Sequence, residues 1–475
     1  MSISIVIQRL FAVLSLSVLF AAIVYNLQTV GIALLIVLPL LAIVLYIMFQ
    51  HPKRCLDVAL ICGFIAIGAT RYINDVPFGL TIDFTLLLAM VSALFHTRLK
   101  TDLKKLNTPL VWLCAIWMLY CTFEIFNPEA RSFEAWFYAV RGVALYMILT
   151  VPLTILFAGK AADLDRFIKL FLLFSFVAAL WGYKQFFFGL DAAENKWLME
   201  GAYKTHLLFG RLRIFSFLSD AGQFGAGSAL AGVVSTILAV GPFARKLKIA
   251  FAILAVIFFH GMMLSGTRGA LFVPITGFMA YFIVSKNIKT ILIGGMILGS
   301  AFVFLKYTTI ANNNDQIRRM RSAFNGEDAS LNVRKENQKK FAAYLATRPF
   351  GGGIGTSGTW GIRFSPGTFL AQTANDSWYV KIWAETGVVG LTLHVLSILT
   401  ICAMSVLKIW KVQHPQLKQK LMALFSGFVG VAVASYGNPI FGQIPMGIII
   451  YMSWVYIFLA KDLEKELVTK SQQYE

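Results

Sequence analysis

A chain of 475 residues with 58 % hydrophobic and 14 % charged positions departs far from the make-up of a soluble domain. Its formal charge of +19 invites a nucleic-acid partner, but the basic loops are short, scattered and free of an interleaved aromatic platform, which argues against one. What remains is a polytopic helical membrane protein whose positive charge serves topology and attraction to anionic lipid.

In chain order, apolar runs of roughly 17 to 25 residues recur, each long enough to cross a hydrocarbon core of about 30 Å. They predict an all-α protein with about 14 transmembrane helices. The spans centre near Ser17, Leu38, Ile61, Leu87, Ile116, Leu145, Ser175, Val233, Leu254, Gly277, Ile297, Leu391, Gly430 and Tyr451. The run from Leu10 to Tyr25 reads as a retained span, because no convincing small-residue cleavage site follows it. All five cysteines fall in spans or at their edges, so no disulfide framework is implied.

The connecting loops alternate in charge. Loops 51–54, 98–105, 160–169, 245–248, 286–289, 408–420 and 461–470 are strongly basic, which places them in the cytoplasm. Loops 26–29, 71–79, 127–135 and 436–445 are poorer in charge and should be external. The expected organisation is eleven spans over 1–308 with a cytoplasmic N-terminus, a large extracytoplasmic loop over 309–377, three spans over 378–460 and a cytoplasmic tail over 461–475. A second external loop covers 189–220.

The large loop holds the densest cationic run, with Arg318, Arg319, Arg321, Arg334, Lys335, Lys339, Lys340 and Arg348. Short amphipathic helices are expected over 318–348. In the second, Phe341, Ala342, Tyr344 and Leu345 form an apolar side opposite the basic residues, a pattern suited to lipid headgroups or to the roof of a cleft. The run Gly351-Gly352-Gly353-Ile354-Gly355 is too short and too poorly flanked for a nucleotide loop. It lets the backbone turn after Pro349.

External arginines break the topological pattern. Arg213 precedes the eighth span, Arg268 lies in the tight turn Ser265-Gly266-Thr267-Arg268-Gly269-Ala270, and Arg141 sits at the external end of the sixth span. Guanidinium forks match phosphate oxygens, so three on one face point to a shared anionic ligand. The plain alternative is snorkelling, or pairing with Glu124, Asp220 or Glu385. Asp376 stands just before the twelfth span, with Glu385 about two and a half turns deeper. Such an aspartate either caps the helix N-terminus or accepts a proton from a hydroxyl nucleophile.

Four segments, in this order, resemble the O-antigen ligase and Wzy-type polymerase superfamily of bacterial membrane glycosyltransferases. Residues 213–225 are similar to the family's Arg-containing entry to a central span, and Ser265 to Ala270 to its Ser-x-[Ser/Thr]-Arg-[Gly/Ala] turn. Arg334 through Pro349-Phe350-Gly351-Gly352-Gly353-Ile354-Gly355 is similar to its Arg-…-Pro-x-x-Gly-x-Gly run. Asp376 through Glu385-Thr386-Gly387-Val388-Val389-Gly390 is similar to its His-Asn-x-[Tyr/Phe]-…-Glu-x-Gly segment. The likeness covers 210–391.

The resemblance implies a GT-C-like fold in the bacterial cytoplasmic membrane, with the site facing the periplasm or exterior. It implies a polyprenyl-diphosphate-linked oligosaccharide as donor, inverting transfer to an acceptor glycan or lipid, no cofactor and no metal. Arg213 and Arg268 become diphosphate ligands, with Arg334 as a third and Arg141 as a further external candidate. Asp376 takes the place of the family's histidine base, with Glu385 and Ser377 in support. There the chain departs from the pattern: Asp376 replaces the histidine and Ser377 the asparagine, and an ordinary carboxylate is the weaker base near neutral pH. Distance from the type ligases favours a polymerase over a ligase. A transporter or flippase of lipid-linked sugars is the other alternative, although no internal repeat of the kind transporters use is visible.

Overall fold

The computed structural model describes residues 17, 39, 42–73, 76–95, 102–208, 210–324 and 329–472. Of the first two expected spans, only Ser17, Pro39 and the stretch from Ala42 onward are described, and these are helical. Among the described residues the secondary structure is helical except for one hairpin, Leu207–Leu208 paired with Arg211–Leu212.

The apolar runs become helices with recognisable starts. Helix α1 is Pro52–Ala69 and α2 is Leu80–Phe95. Helix α3, Pro109–Phe123, begins with Thr108 capping the amide of Val111 and proline in the first turn, where its missing N–H is harmless. Helix α4, Phe133–Phe157, is capped by Ser132. It contains a π turn at Arg141–Leu145, and the indole of Trp117 donates to the Val143 carbonyl there at 2.9 Å. Helix α5 is Ala161–Phe188, α6 is Ala221–Ala239, α7 is Arg245–Leu264, α8 is Phe272–Ser285 and α9 is Ile288–Tyr307. The loop expected over 309–377 holds α10 (Asp315–Arg321), α11 (Ala329–Leu345), α12 (Gly358–Phe364) and α13 (Phe369–Gln372). Then come α14 (Trp378–Lys411), α15 (Pro415–Ala434), α16 (Met446–Phe458) and α17 (Ala460–Gln472).

Eight helices among the described residues are long and apolar enough to cross a membrane, or nine if the bent pair α16–α17 forms one span. They carry the expected centres Ile116, Leu145, Val233, Leu254, Gly277, Ile297, Leu391 and Gly430, with Tyr451 on the bent pair. Three other expected centres, Ile61, Leu87 and Ser175, lie on helices as well, but α2 has only 16 residues. Charges at the ends of α1 and α5, such as Asp57, Asp163, Arg166 and Lys184, lower their hydropathy. The chain is a multi-pass helical membrane protein.

Alternation of the helices sorts the loops onto two ends. At one end the basic loops meet. Lys53 pairs with Asp163, Arg166 with Asp57 at 3.2 Å, and Lys420 with Asp165. The amides of Gln413 and His414 donate to Glu464 at 2.6 Å each. The other end gathers loops 71–79, 124–132, 189–220, 309–377 and 435–445. Small residues let the central helices approach. Helix α6 is almost wholly buried, and a Cβ on Gly430 would lie 2.5 Å from the Val273 carbonyl of α8.

Candidate active site

The poorly basic end contains a cavity of about 430 Å³ between the start of α8, the end of α15, the start of α14 and the roof formed by α11. Arg268, Arg334, Lys335, Asp376 and Ser377 line it, so three of the four sequence motifs converge on one space.

Each side chain is held by its own local geometry. Arg268 follows a turn in which Gly266 has φ +56, and a Cβ there would fall 2.8 Å from Arg319 Nε. The turn is braced from the side. Arg213 Nη2 donates to Thr267 Oγ1 at 2.8 Å, Nε to the Ser265 carbonyl at 3.3 Å and Nη1 to the Thr205 carbonyl at 2.9 Å. Arg319 Nε donates to the Gly266 carbonyl. Burial first, then the neighbouring Arg319 charge, pushes the pKa of Arg213 down to about 10, with Arg268 adding to the effect and Asp220 opposing it. Three of the donors of Arg213 are therefore committed to protein oxygens, and it is not among the cavity-lining residues. The expected diphosphate ligand is placed as the support of the Arg268 turn.

The Arg213 segment is itself tied down. His206 Nε2 accepts from the Ala221 amide at 3.2 Å, at the start of α6, while its Nδ1 lies 3.0 Å from the Ala202 carbonyl. This pattern assigns the proton to Nδ1. Burial lowers the pKa of His206. Arg71 donates to the carbonyls of Ser216, Leu218 and Ser219, with its guanidinium 4.2 Å from the Trp197 ring centroid.

Arg334 projects from α11 toward the start of α14. Its Nε lies 3.5 Å from Asp376 Oδ2, within ion-pair range but without hydrogen-bond geometry, so this buried donor is unused by the described residues. Asp376 does not cap α14: Ser377 Oγ accepts from the Val380 amide at 3.4 Å, and the cap falls to the serine. The aspartate is left half-exposed in the cavity wall, 52 % accessible at its side chain.

Glu385 is fully buried and takes no part in the cavity lining. Its Oε1 accepts from Ser357 Oγ at 2.7 Å, and that hydroxyl accepts from Asn375 Nδ2 at 2.7 Å. The carbonyls of Ala384 and Glu385 accept from the amides of Gly352 and Gly353 at 3.0 and 2.9 Å. Helix α14 breaks at Gly387 (φ +66), where a Cβ would stand 2.0 Å from the Pro349 carbonyl and 2.4 Å from the Gly351 amide. The glycine run thus fits into the break in α14, and the two motifs hold each other. Through Ser357 and Asn375, Glu385 is linked by hydrogen bonds to the residue that precedes Asp376.

Arg141 is the expectation that the structure moves furthest. It binds Asp83 through Nε at 3.0 Å and through Nη2, and Tyr146 at 3.0 Å. It pairs with none of the acids expected for it and does not line the cavity, because the π turn of α4 aims it at α2. Sequence reasoning passed over Arg319, Ser357 and Asn375. The first stood in a cationic run and the third beside Asp376, but Ser357 carried no local signal.

Residues 251–395 match a family model described as O-antigen ligase (Wzy_C). No curated protein matches the chain. The matched stretch includes the Arg268 turn, α11, the glycine run and the start of α14, and it excludes the Arg213 segment. This stretch is similar to the O-antigen ligase domain, in keeping with the resemblance read from the motifs.

Proposed function

We propose that the protein is a membrane glycosyltransferase that takes a polyprenyl-diphosphate-linked glycan as donor and joins it to a second glycan, as a Wzy-type polymerase does. The observation that carries this reading is the placement of Arg268, Arg334 and Asp376 around one cavity, inside the matched stretch. In this reading the cavity faces the periplasm or exterior of a bacterial cytoplasmic membrane, and the basic loops at the opposite end support that orientation.

In this scheme an acceptor hydroxyl attacks the anomeric carbon from the face opposite the diphosphate, which inverts the centre. The bond from carbon to the diphosphate oxygen breaks, and the electron pair leaves with the lipid diphosphate. Arg268 and Arg334 meet that growing charge, each contributing about 2–4 kcal/mol in the manner of other preorganised donors. The hydroxyl proton passes to Asp376, whose position beside Arg334 orients the carboxylate.

The test supplies purified full-length protein with a polyprenyl-diphosphate-linked repeat unit and no other acceptor. A product ladder that disappears with Arg268→Ala in folded protein supports polymerase chemistry. The similarity of residues 251–395 to O-antigen ligases supports a second reading, ligation onto a lipid or protein acceptor. Under that reading no ladder forms, and a single addition appears once such an acceptor is present. Release of intact donor to the opposite leaflet without bond cleavage would place the protein among transporters.

A further inference from the structure

The cavity carries more positive charge than Arg268 and Arg334 supply. Lys335 also lines it, beside the amides of Asn337 and Gln338. Lys339 stands one helical turn further along α11, exposed on the same ridge as Lys335. Among the described residues neither lysine has an ion-pair partner within 4.0 Å, although like charges at this spacing repel. Asp376 is the one carboxylate among the lining residues, and Arg334 already faces it.

A lipid-facing helix would present an apolar side to the bilayer. Helix α11 has committed that side elsewhere: Phe341 and Leu345 are buried against Leu370, Val380 and Ala384. Among the side chains of α11 that are described, Val333 is the one large apolar residue left exposed. The ridge of Lys335 and Lys339 therefore leads out of the cavity over polar ground, next to amides that suit sugar hydroxyls.

We propose that the glycan handled at this cavity is anionic, bearing carboxylates or comparable acidic groups, and that Lys335 and Lys339 select it. The inference rests on the reading of the site as glycan-binding. It concerns the sugar rather than the lipid diphosphate, whose ligands are Arg268 and Arg334.

The experiment measures binding of two probes of equal length to the full chain in detergent, an oligogalacturonate and a neutral malto-oligosaccharide. The expected result is tighter binding of the acidic probe by roughly tenfold at low salt, declining as salt rises. The double variant Lys335→Gln/Lys339→Gln should lose most of that preference, roughly threefold per lysine, with the neutral probe unaffected. Lys335→Arg/Lys339→Arg should keep it, which separates charge from fold. Equal binding of both probes by the wild type, or an unchanged preference in the glutamine variant, overturns the proposal. It is also overturned if the glutamine variant loses only its attachment to phosphatidylglycerol vesicles, which would assign the lysines to headgroups. Neither probe contains a lipid diphosphate, so a failed ladder with an intact acidic preference would count against the transferase reading alone.

Discussion

Arg213→Ala separates a brace from a ligand. The guanidinium gives hydrogen bonds at 2.8, 2.9 and 3.3 Å to Thr267, Thr205 and Ser265. A bond from a charged donor contributes about 1.5–3 kcal/mol, so three give a gross figure of about 4.5–9 kcal/mol. Against this stand the burial and, after it, the Arg319 and Arg268 charges that bring the pKa from 12.5 to about 10, equivalent to roughly 3 kcal/mol at about 1.4 kcal/mol for each tenfold change. Truncation should then remove about 1.5–6 kcal/mol and free the turn that presents Arg268. The assay is thermal unfolding of the full chain in detergent, followed by intrinsic tryptophan fluorescence, alongside transfer activity. The expected outcome is a melting temperature lower by several degrees together with lost transfer. A variant that melts like the wild type yet no longer binds the lipid-linked donor would refute the brace and restore Arg213 as a direct ligand.

Further outcomes test the other supports. Asp376→Asn should lower kcat by about 10²- to 10⁴-fold without changing the melting temperature, and retained turnover would remove Asp376 from the chemistry. Gly387→Ala should destabilise by about 1–2 kcal/mol from the left-handed backbone alone, and by more from contact with Pro349. Hydrogen exchange over 349–355 would register the displaced glycine run, and unchanged protection there would contradict the interlock. Ser357→Ala should cost about 1–3 kcal/mol by stripping the buried Glu385 carboxyl of a donor, whereas Ser357→Thr keeps the hydroxyl and should melt near the wild type. His206 makes stability depend on pH. Its folded pKa lies below the ordinary value of 6.5, so the neutral ring stabilises the fold fully above that value, and the contribution is lost as pH falls through the folded pKa. Melting temperatures between pH 7.5 and 4.5 should decline in the wild type and flatten in His206→Gln; parallel curves would show that the ring does not cap α6.

The sequence exposed two kinds of information well. Long apolar runs and alternating basic loops predicted helices whose ends separate onto two faces, because hydropathy and loop charge are local properties that the bilayer reads directly. The motif spacing located Arg268, Arg334 and Asp376, which do share a cavity. The chemistry of a guanidinium, by contrast, does not announce its partner. Arg141 and Arg268 look alike in sequence, yet one binds Asp83 across two helices and the other lines the cavity. Asp376 and Ser377 competed for the cap, and backbone geometry gave it to the serine.

Composition and hydropathy therefore established a helical membrane protein with a cationic loop, and four motif segments added a resemblance to one superfamily. Only the tertiary structure decided which charges are spent on the protein and which face the cavity. Two of the hydrogen bonds of Arg213 reach residues 52 and 54 positions away, and the Glu385–Ser357–Asn375 chain joins residues 18 and 28 positions apart. Such partnerships depend on how helices pack, and packing is settled by side-chain volume and close approach at places such as Gly387 and Gly351. Those distances exist only in the folded chain.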